Sequence, residues 1–169
     1  MSITFERTSL VAAAPDEVWQ RVTSAAGINY ELMPIMRMSI PRSLKNKSIQ
    51  DVPIGKKIGR SWFFLLGFLP IDFDDITIAE YEPGRRFLEQ STMMSMSKWE
   101  HERTLTGRGG ASEICDRVTF RLRPPTGWIP GAHKVIGAFL SWLFGHRHRR
   151  LVRWFRESSV QPAGKELRG

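Results

Sequence analysis

Apolar and polar residues alternate along most of the middle of the chain, and this period of two is typical of β-strands with one buried face. Turn residues interrupt the alternation at Gly67–Pro70, Pro83–Gly84, Met94–Ser97 and Gly107–Gly110. The pattern therefore predicts an antiparallel meander of five strands: Ile58–Leu66, Asp72–Glu82, Arg86–Met93, Lys98–Leu105 and Ser112–Arg123.

Helical patterns flank this meander on both sides. A first strand with Ile3, Phe5, Leu10 and Val11 precedes a helix that starts near Pro15. Pro15 suits a first helical turn, and we expect Gly27 to end this helix. Further predicted elements are a short helix at Asn29–Met33, a short strand at Met36–Ile40, a loop at Pro41–Pro53 and one long helix at Ala132–Arg156.

This order of elements predicts an α+β fold, in which a curved antiparallel sheet covers its inner face with the long C-terminal helix. Two short helices follow the first strand. We expect residues 1–157 to form one domain. Residues 158–169 should form a disordered tail, because the segment Val160–Gly169 is polar.

The element order and several local phrases resemble the START/Bet v-type helix-grip superfamily, SRPBCC, and within it the ligand-binding and polyketide cyclase/dehydrase-like members. The resemblance covers about Ile3–Phe155. It implies a cavity between sheet and long helix for a small hydrophobic or amphipathic molecule, with neither metal nor cofactor. The phrases that carry it are Ala13–Trp19, Leu69–Asp72, Tyr81–Phe87 and Trp99–Arg103.

The inward face of one strand carries two large polar groups, His101 and Arg103, between Trp99 and Leu105. Hairpin geometry places Glu89 opposite His101 and places Asp116 opposite His101 or Arg103. These four polar side chains should therefore meet on the concave face. Three interpretations remain open: a paired charge network, polar anchors for a ligand, or catalysis with His101 as the acid or base.

The ligand-binding interpretation predicts a set of cavity-lining residues. The polar anchors are Glu89, His101, Arg103 and Asp116. The spacing of the Gly67–Pro70 turn leaves open whether Trp62 and Phe64 or Ser61 and Phe63 face inward. The predicted apolar walls are Trp62, Phe64, Ile76, Ile78, Phe87, Trp99, Val118, Phe120, Ile136, Leu140 and Phe144.

The charge balance adds a further hypothesis, because the net charge is +8 and the pI about 10.2. Arginines interleave with aromatic residues between His146 and Arg156, so weak contact with an anionic membrane is an alternative role. Nucleic acid is disfavoured, because these arginines spread around the helix and no nucleic-acid motif accompanies them. Arg147 or His148 must point inward and could reach Glu89 or Asp116.

The remaining features exclude several classes of site and partner. His146 and His148 do not share a helix face, so zinc is not expected. No serine lies in a Gly-x-Ser-x-Gly context, and Cys115 should point away from the cavity. A single cysteine and a start at Met1–Glu6 without a leader pattern favour a cytoplasmic location. The longest apolar runs are shorter than the ~20 residues that a membrane helix needs.

Overall fold

The computed structural model describes residues 1–41 and 51–160 of the chain. Two short helices follow the first strand, and a long helix closes the described chain. The elements are β1 Ile3–Val11, α1 Pro15–Val22, α2 Ala25–Leu32, β2 Met36–Met38, β3 Lys57–Leu65, β4 Leu69–Glu82, β5 Arg86–Met93, β6 Met96–Arg108, β7 Ala111–Leu122 and α3 Ala132–Val160.

The strands form one seven-stranded sheet in the order β1-β7-β6-β5-β4-β3-β2, with antiparallel pairing throughout. The predicted meander is confirmed, and each of its strands lies within a few residues of its predicted bounds. The α+β helix-grip architecture is confirmed as well, because the sheet curls around α3 and the two short helices lie beside it.

The boundary between the first two helices differs from the prediction. Helix α1 ends at Val22, and Gly27 lies inside α2 rather than at the end of α1. A Cβ atom at Gly27 would lie 1.8 Å from the carbonyl oxygen of Arg21, so only glycine permits this close approach of the two helices. Ser24 caps α2 by accepting a hydrogen bond from the backbone N–H of Gly27 at 3.0 Å.

Helix α3 packs its apolar stripe against the concave face of the sheet. Phe144 and Leu140 pack with Trp99 of β6 and Val118 of β7, while Leu151 and Phe155 pack with Val11, Val18 and Trp19. The helix continues past Arg156 to Val160, so the polar tail does not begin at residue 158. Most of the predicted loop at Pro41–Pro53, namely residues 42–50, and residues 161–169 of the predicted tail lie outside the described residues.

Within the described ranges, no helix combines the length and the apolar character that crossing a membrane requires.

Candidate functional site

A cavity of about 340 Å³ lies between the concave face of the sheet and the helices α2 and α3. Most of its wall is apolar. Of the predicted apolar wall residues, the structure places Ile76, Ile78, Phe87, Trp99, Ile136, Leu140 and Phe144 around this cavity. Ile28 and Leu32 of α2, which the sequence analysis did not single out, line it too.

Val118 and Phe120 of β7 are fully buried, yet they do not line the cavity. They belong to the apolar core that packs beneath Phe144 and Leu140. Their predicted inward orientation is therefore correct, but α3 covers them. They support the cavity wall from behind.

The turn left the inward face of β3 open, and the structure gives it to Ser61 and Phe63, so Trp62 and Phe64 of the predicted wall do not line the cavity. Trp62 is 41% exposed and packs edge-on against Phe73 at a ring-centroid distance of 5.4 Å. Phe63 lines the cavity instead, and Ser61 on the same face is fully buried. The β3–β4 pairing explains this parity, because Phe63 lies opposite the inward-facing Asp72 and a bulge follows between Phe63 and Phe64.

The polar residues of β5, β6 and β7 meet as their spacing predicts. Glu89 lies opposite His101, and Asp116 lies opposite Arg103. The carboxylate of Asp116 has no exposed surface and accepts hydrogen bonds from His101 Nε2 at 3.0 Å and Arg103 Nε at 2.6 Å. Its Oδ2 atom accepts a further bond from Arg103 Nη2 at 2.7 Å. Asp116 does not line the cavity, so it acts on the cavity wall only through these partners.

Glu31 of α2 completes this network, and sequence reasoning missed it. Arg103 donates from Nη1 and Nη2 to the two Glu31 oxygens at 3.2 and 3.1 Å. Arg147 of α3 donates to Glu31 from Nε at 3.1 Å. Glu31 is 1% exposed. Its position between the apolar residues Ile28 and Leu32 was the sequence feature that could have indicated a buried acid.

The basic stretch of α3 is partly internal. The helical spacing predicts that either Arg147 or His148 points inward, and in the structure both are buried. His148 Nε2 bonds Asp116 Oδ2 at 3.0 Å, while its Nδ1 bonds the Ser9 hydroxyl at 2.9 Å. Arg150 donates to the Tyr30 carbonyl at 3.0 Å. Much of the positive charge of this helix therefore holds the fold together.

Opposite charges set the protonation of the network. Burial by itself would raise the pKa of Asp116, but Arg103 and His101 hold it well below its ordinary range. Burial would likewise lower the pKa of His101, but the carboxylates of Asp116 and Glu89 outweigh burial and raise this pKa. Both ring nitrogens of His101 face carboxylates, since Nδ1 lies 3.8 Å from Glu89 Oε2. His101 is therefore held as a cation within an ion-paired network.

A second acidic group lies beside this network on β4. Asp74 is 2% exposed, lines the cavity and is hydrogen-bonded to Glu89. Burial and the neighbouring charge of Glu89 raise the pKa of Asp74 to about 10. Burial would raise the pKa of Glu89 as well, but the bonds from His101 and Asp74 lower it. Asp74 is therefore the neutral partner and Glu89 the ionised one.

Within residues 1–41 and 51–160, no group of three His, Cys, Asp or Glu side chains is arranged to hold a metal ion. The polar end of the cavity is instead built from ion pairs and one neutral carboxyl group. Such an arrangement can orient a polar group of a bound molecule.

Three solved structures resemble this fold over almost the whole chain. The ZhuI aromatase/cyclase from Streptomyces sp. R1128 matches with a TM-score of 0.69 and 14% identity, covering 97% of this chain and 99% of ZhuI. Ara h 8.0201 matches with a TM-score of 0.54 and 12% identity, covering 90% of this chain and 99% of its own. At these identities the likeness shows the fold.

The third structure is DynU16, from the dynemicin biosynthetic locus. It matches with a TM-score of 0.57 and 20% identity over 92% of this chain, and this chain spans 48% of the length of DynU16. The three likenesses confirm the predicted resemblance to the SRPBCC helix-grip fold.

A comparison with curated protein sequences gave no match. A family model described as a domain of unknown function, DUF8410, matches residues 9–155. This match covers most of the chain, from β1 to the last turns of α3. The chain thus belongs to the DUF8410 family and has the SRPBCC helix-grip fold.

Proposed function

We propose that this protein binds a small, predominantly apolar molecule in the cavity between its sheet and α3. The observation that carries this proposal is the cavity itself, because about 340 Å³ of space with mostly apolar walls lies where a core would otherwise be packed. This volume falls in the usual range of ligand pockets. The fold supports the proposal, since ZhuI and Ara h 8.0201 share it.

The charges around the cavity favour a ligand without a net charge. Arg103 and Arg147 are paired with Glu31 and Asp116, and His101 is paired with Glu89. A charged ligand would have to replace one of these partners. Removing one partner of a buried ion pair is costly, so an uncharged molecule fits this wall better.

A cyclase- or dehydratase-like activity is the alternative, because ZhuI is named an aromatase/cyclase. This alternative requires His101 to exchange a proton with a substrate. Both ring nitrogens of His101 already face carboxylates, and its pKa is raised. The geometry therefore favours a positioning role for His101 over general base catalysis.

Attachment to an anionic membrane through α3 has less support. Arg147 is buried and ion-paired with Glu31, and His148 is buried and hydrogen-bonded to Asp116, which leaves Arg149, Arg153 and Arg156 as the exposed cations of the stretch. The binding proposal rests on the cavity and does not need this surface.

Filling part of the cavity should weaken ligand binding without unfolding the protein. We expect the wild-type protein to bind N-phenyl-1-naphthylamine, an apolar probe whose fluorescence rises in apolar surroundings. Ile136 lines the cavity from the first turns of α3, so Ile136→Trp should weaken probe binding about tenfold or more. Fluorescence titration of both proteins measures the effect, and far-UV circular dichroism checks the fold.

Val135→Trp provides the matched control. Val135 precedes Ile136 on the same helix but is 70% exposed and does not line the cavity, so this variant should bind the probe like the wild type. Equal probe affinities for the wild type and Ile136→Trp would place the probe elsewhere and would refute the proposal. Native mass spectrometry of the purified protein then identifies any molecule that the cavity retains.

A further inference from the structure

The two inward-facing aspartates of β4 differ in how their oxygens are satisfied. Asp72 Oδ1 accepts hydrogen bonds from the backbone N–H groups of Phe73 at 2.8 Å and Met94 at 3.0 Å. Its Oδ2 accepts one from the Ser95 hydroxyl. Asp72 therefore anchors the turn between β5 and β6, and its side chain is occupied by the fold.

Asp74, two residues along the same face, is not satisfied in this way. Its side chain is hydrogen-bonded to Glu89 and Ser91, but its Oδ1 atom is buried and has no hydrogen-bond partner among the residues that the structure describes. Asp74 lines the cavity. A buried polar atom without a partner destabilises the folded state, so such an atom at a cavity wall calls for an explanation.

The neighbours of Asp74 decide which chemical group would suit Oδ1. Glu89 is ionised and can only accept hydrogen bonds, so the proton between the two carboxyl groups belongs to Asp74. Because Oδ1 has no hydrogen-bond partner, the proton shared with Glu89 is assigned to Oδ2, which leaves Oδ1 as a carbonyl-type oxygen that can only accept. The groups that act most strongly on the charge of Asp74 are Glu89, Ser91 and Asp72, and none of these three is a cation.

We infer that Asp74 Oδ1 accepts a hydrogen bond from a hydroxyl group on the bound molecule, which makes the ligand an uncharged apolar alcohol or phenol. This inference rests on the proposed function, since it concerns the same cavity. The hydroxyl hydrogen satisfies the orphan oxygen, and the apolar body of the molecule fills the space between Ile76, Ile78 and Leu140. A ligand with only carbonyl or ether oxygens would leave Oδ1 unpaired.

A matched pair of probes tests this inference. 2-Naphthol and 2-methylnaphthalene have nearly the same shape, but only the first can donate a hydrogen bond. The two affinities are first corrected for the difference between the water-to-octanol transfer free energies of the probes. After this correction, the wild-type protein should bind 2-naphthol about tenfold more tightly than 2-methylnaphthalene. Asp74→Leu should remove this preference, so that the corrected affinities for the two probes are about equal.

Asp74→Asn is the conservative variant. Its amide can donate to Glu89 while its carbonyl oxygen keeps the acceptor, so the preference for 2-naphthol should be retained. Asp75→Leu is the control on the opposite face of β4, because Asp75 pairs with Lys57 and Arg60 outside the cavity. Isothermal titration calorimetry measures each affinity, and a thermal unfolding scan verifies that each variant is folded.

The outcomes separate this inference from the proposed function. If the wild type binds both probes with no corrected preference, or if Asp74→Leu keeps the preference, the cavity binds ligands but the role of Asp74 is refuted. If neither probe binds to the wild type and N-phenyl-1-naphthylamine does not bind either, both proposals fall together.

Discussion

Arg103→Met should destabilise the protein by about 3–5 kcal/mol, which is the usual cost of breaking a buried ion pair from one side. The Arg103 side chain is 1% exposed and lies between the carboxylates of Asp116 and Glu31, each nearly or fully buried. Methionine fills similar space but leaves Asp116 with only histidine partners and Glu31 with only Arg147. Chemical denaturation with urea at pH 7 measures the loss.

The loss should depend on pH in a defined direction. Burial by itself raises the pKa of Asp116, but Arg103 holds this pKa well below its ordinary value. Without Arg103, the pKa of Asp116 should therefore rise. A protonated Asp116 no longer needs a cation. The difference in unfolding free energy between wild type and variant should therefore shrink as the pH falls from 7 towards 4.

Arg117→Met is the matched control for this experiment. Arg117 lies on β7 and pairs with Glu6 at 2.5 Å, but both side chains are about half exposed. Exposed pairs of this kind contribute little to stability, so the urea midpoint should hardly move. A midpoint for Arg103→Met as close to the wild type as that of Arg117→Met would contradict the buried network described above.

The pairing of Glu89 with His101 could be predicted from sequence because it depends on short-range features. Turn residues fix the hairpin register between consecutive strands, and the period of two then fixes which side chains share a face. The same logic placed Asp116 opposite His101 or Arg103 across the Gly107–Gly110 turn, and the structure pairs it with Arg103. Meander topology is favourable for such reasoning, since each strand pairs with its neighbour in sequence.

Glu31 could not be placed in the same way. It meets Arg103 across 72 residues and Arg147 across 116 residues, and no turn or period links these positions. Only the packing of α2 against α3 brings Glu31 close to Arg103 and Arg147. The helical period indicated that Arg147 or His148 points inward, but it did not indicate that Glu31 is the partner of Arg147.

Trp62 and Asp74 show two further limits of the pattern. The parity of β3 depends on a bulge beside the Gly67–Pro70 turn, and such an extra residue leaves no periodic signal. Asp74 was not among the predicted site residues, although the alternation Asp72, Asp74, Ile76, Ile78 puts it on the apolar face. Ile76 and Ile78, which alternate with Asp74 on the same face, were the sequence feature that could have predicted its inward orientation.

Asp74→Asn should stabilise the protein at neutral pH. The pKa of Asp74 is raised from 3.8 to about 10 by burial and by Glu89, so the folded protein holds a proton that the unfolded chain has lost at pH 7. The folded state therefore binds more protons between these two values, and stability falls as the pH rises through this window. Asparagine has the same shape and does not titrate, which removes this cost.

The expected gain follows from the width of the window. Each pKa unit corresponds to about 1.4 kcal/mol, so the gain is at most about 4 kcal/mol at pH 7 and should vanish as the pH approaches 4. The groups that face Asp74, namely Asp72 on its own strand and Glu89 and Ser91 on β5, remain in place in the variant. Urea denaturation of wild type and variant at pH 4, 5.5 and 7 measures this trend.

Asp75→Asn tests the sign of the argument on the neighbouring residue. Hydrogen bonds from Arg60 and Lys57 lower the pKa of Asp75 to about 2, so the charge of Asp75 contributes stability above pH 3.8 that is lost as the pH falls towards 2. This variant should therefore lose stability at pH 7, opposite to Asp74→Asn. A loss for both variants at pH 7 would mean that Asp74 is ionised in the folded protein. A gain only at Asp74 would show that this aspartate is kept in the cavity wall at the expense of stability, as a ligand-recognising group would be.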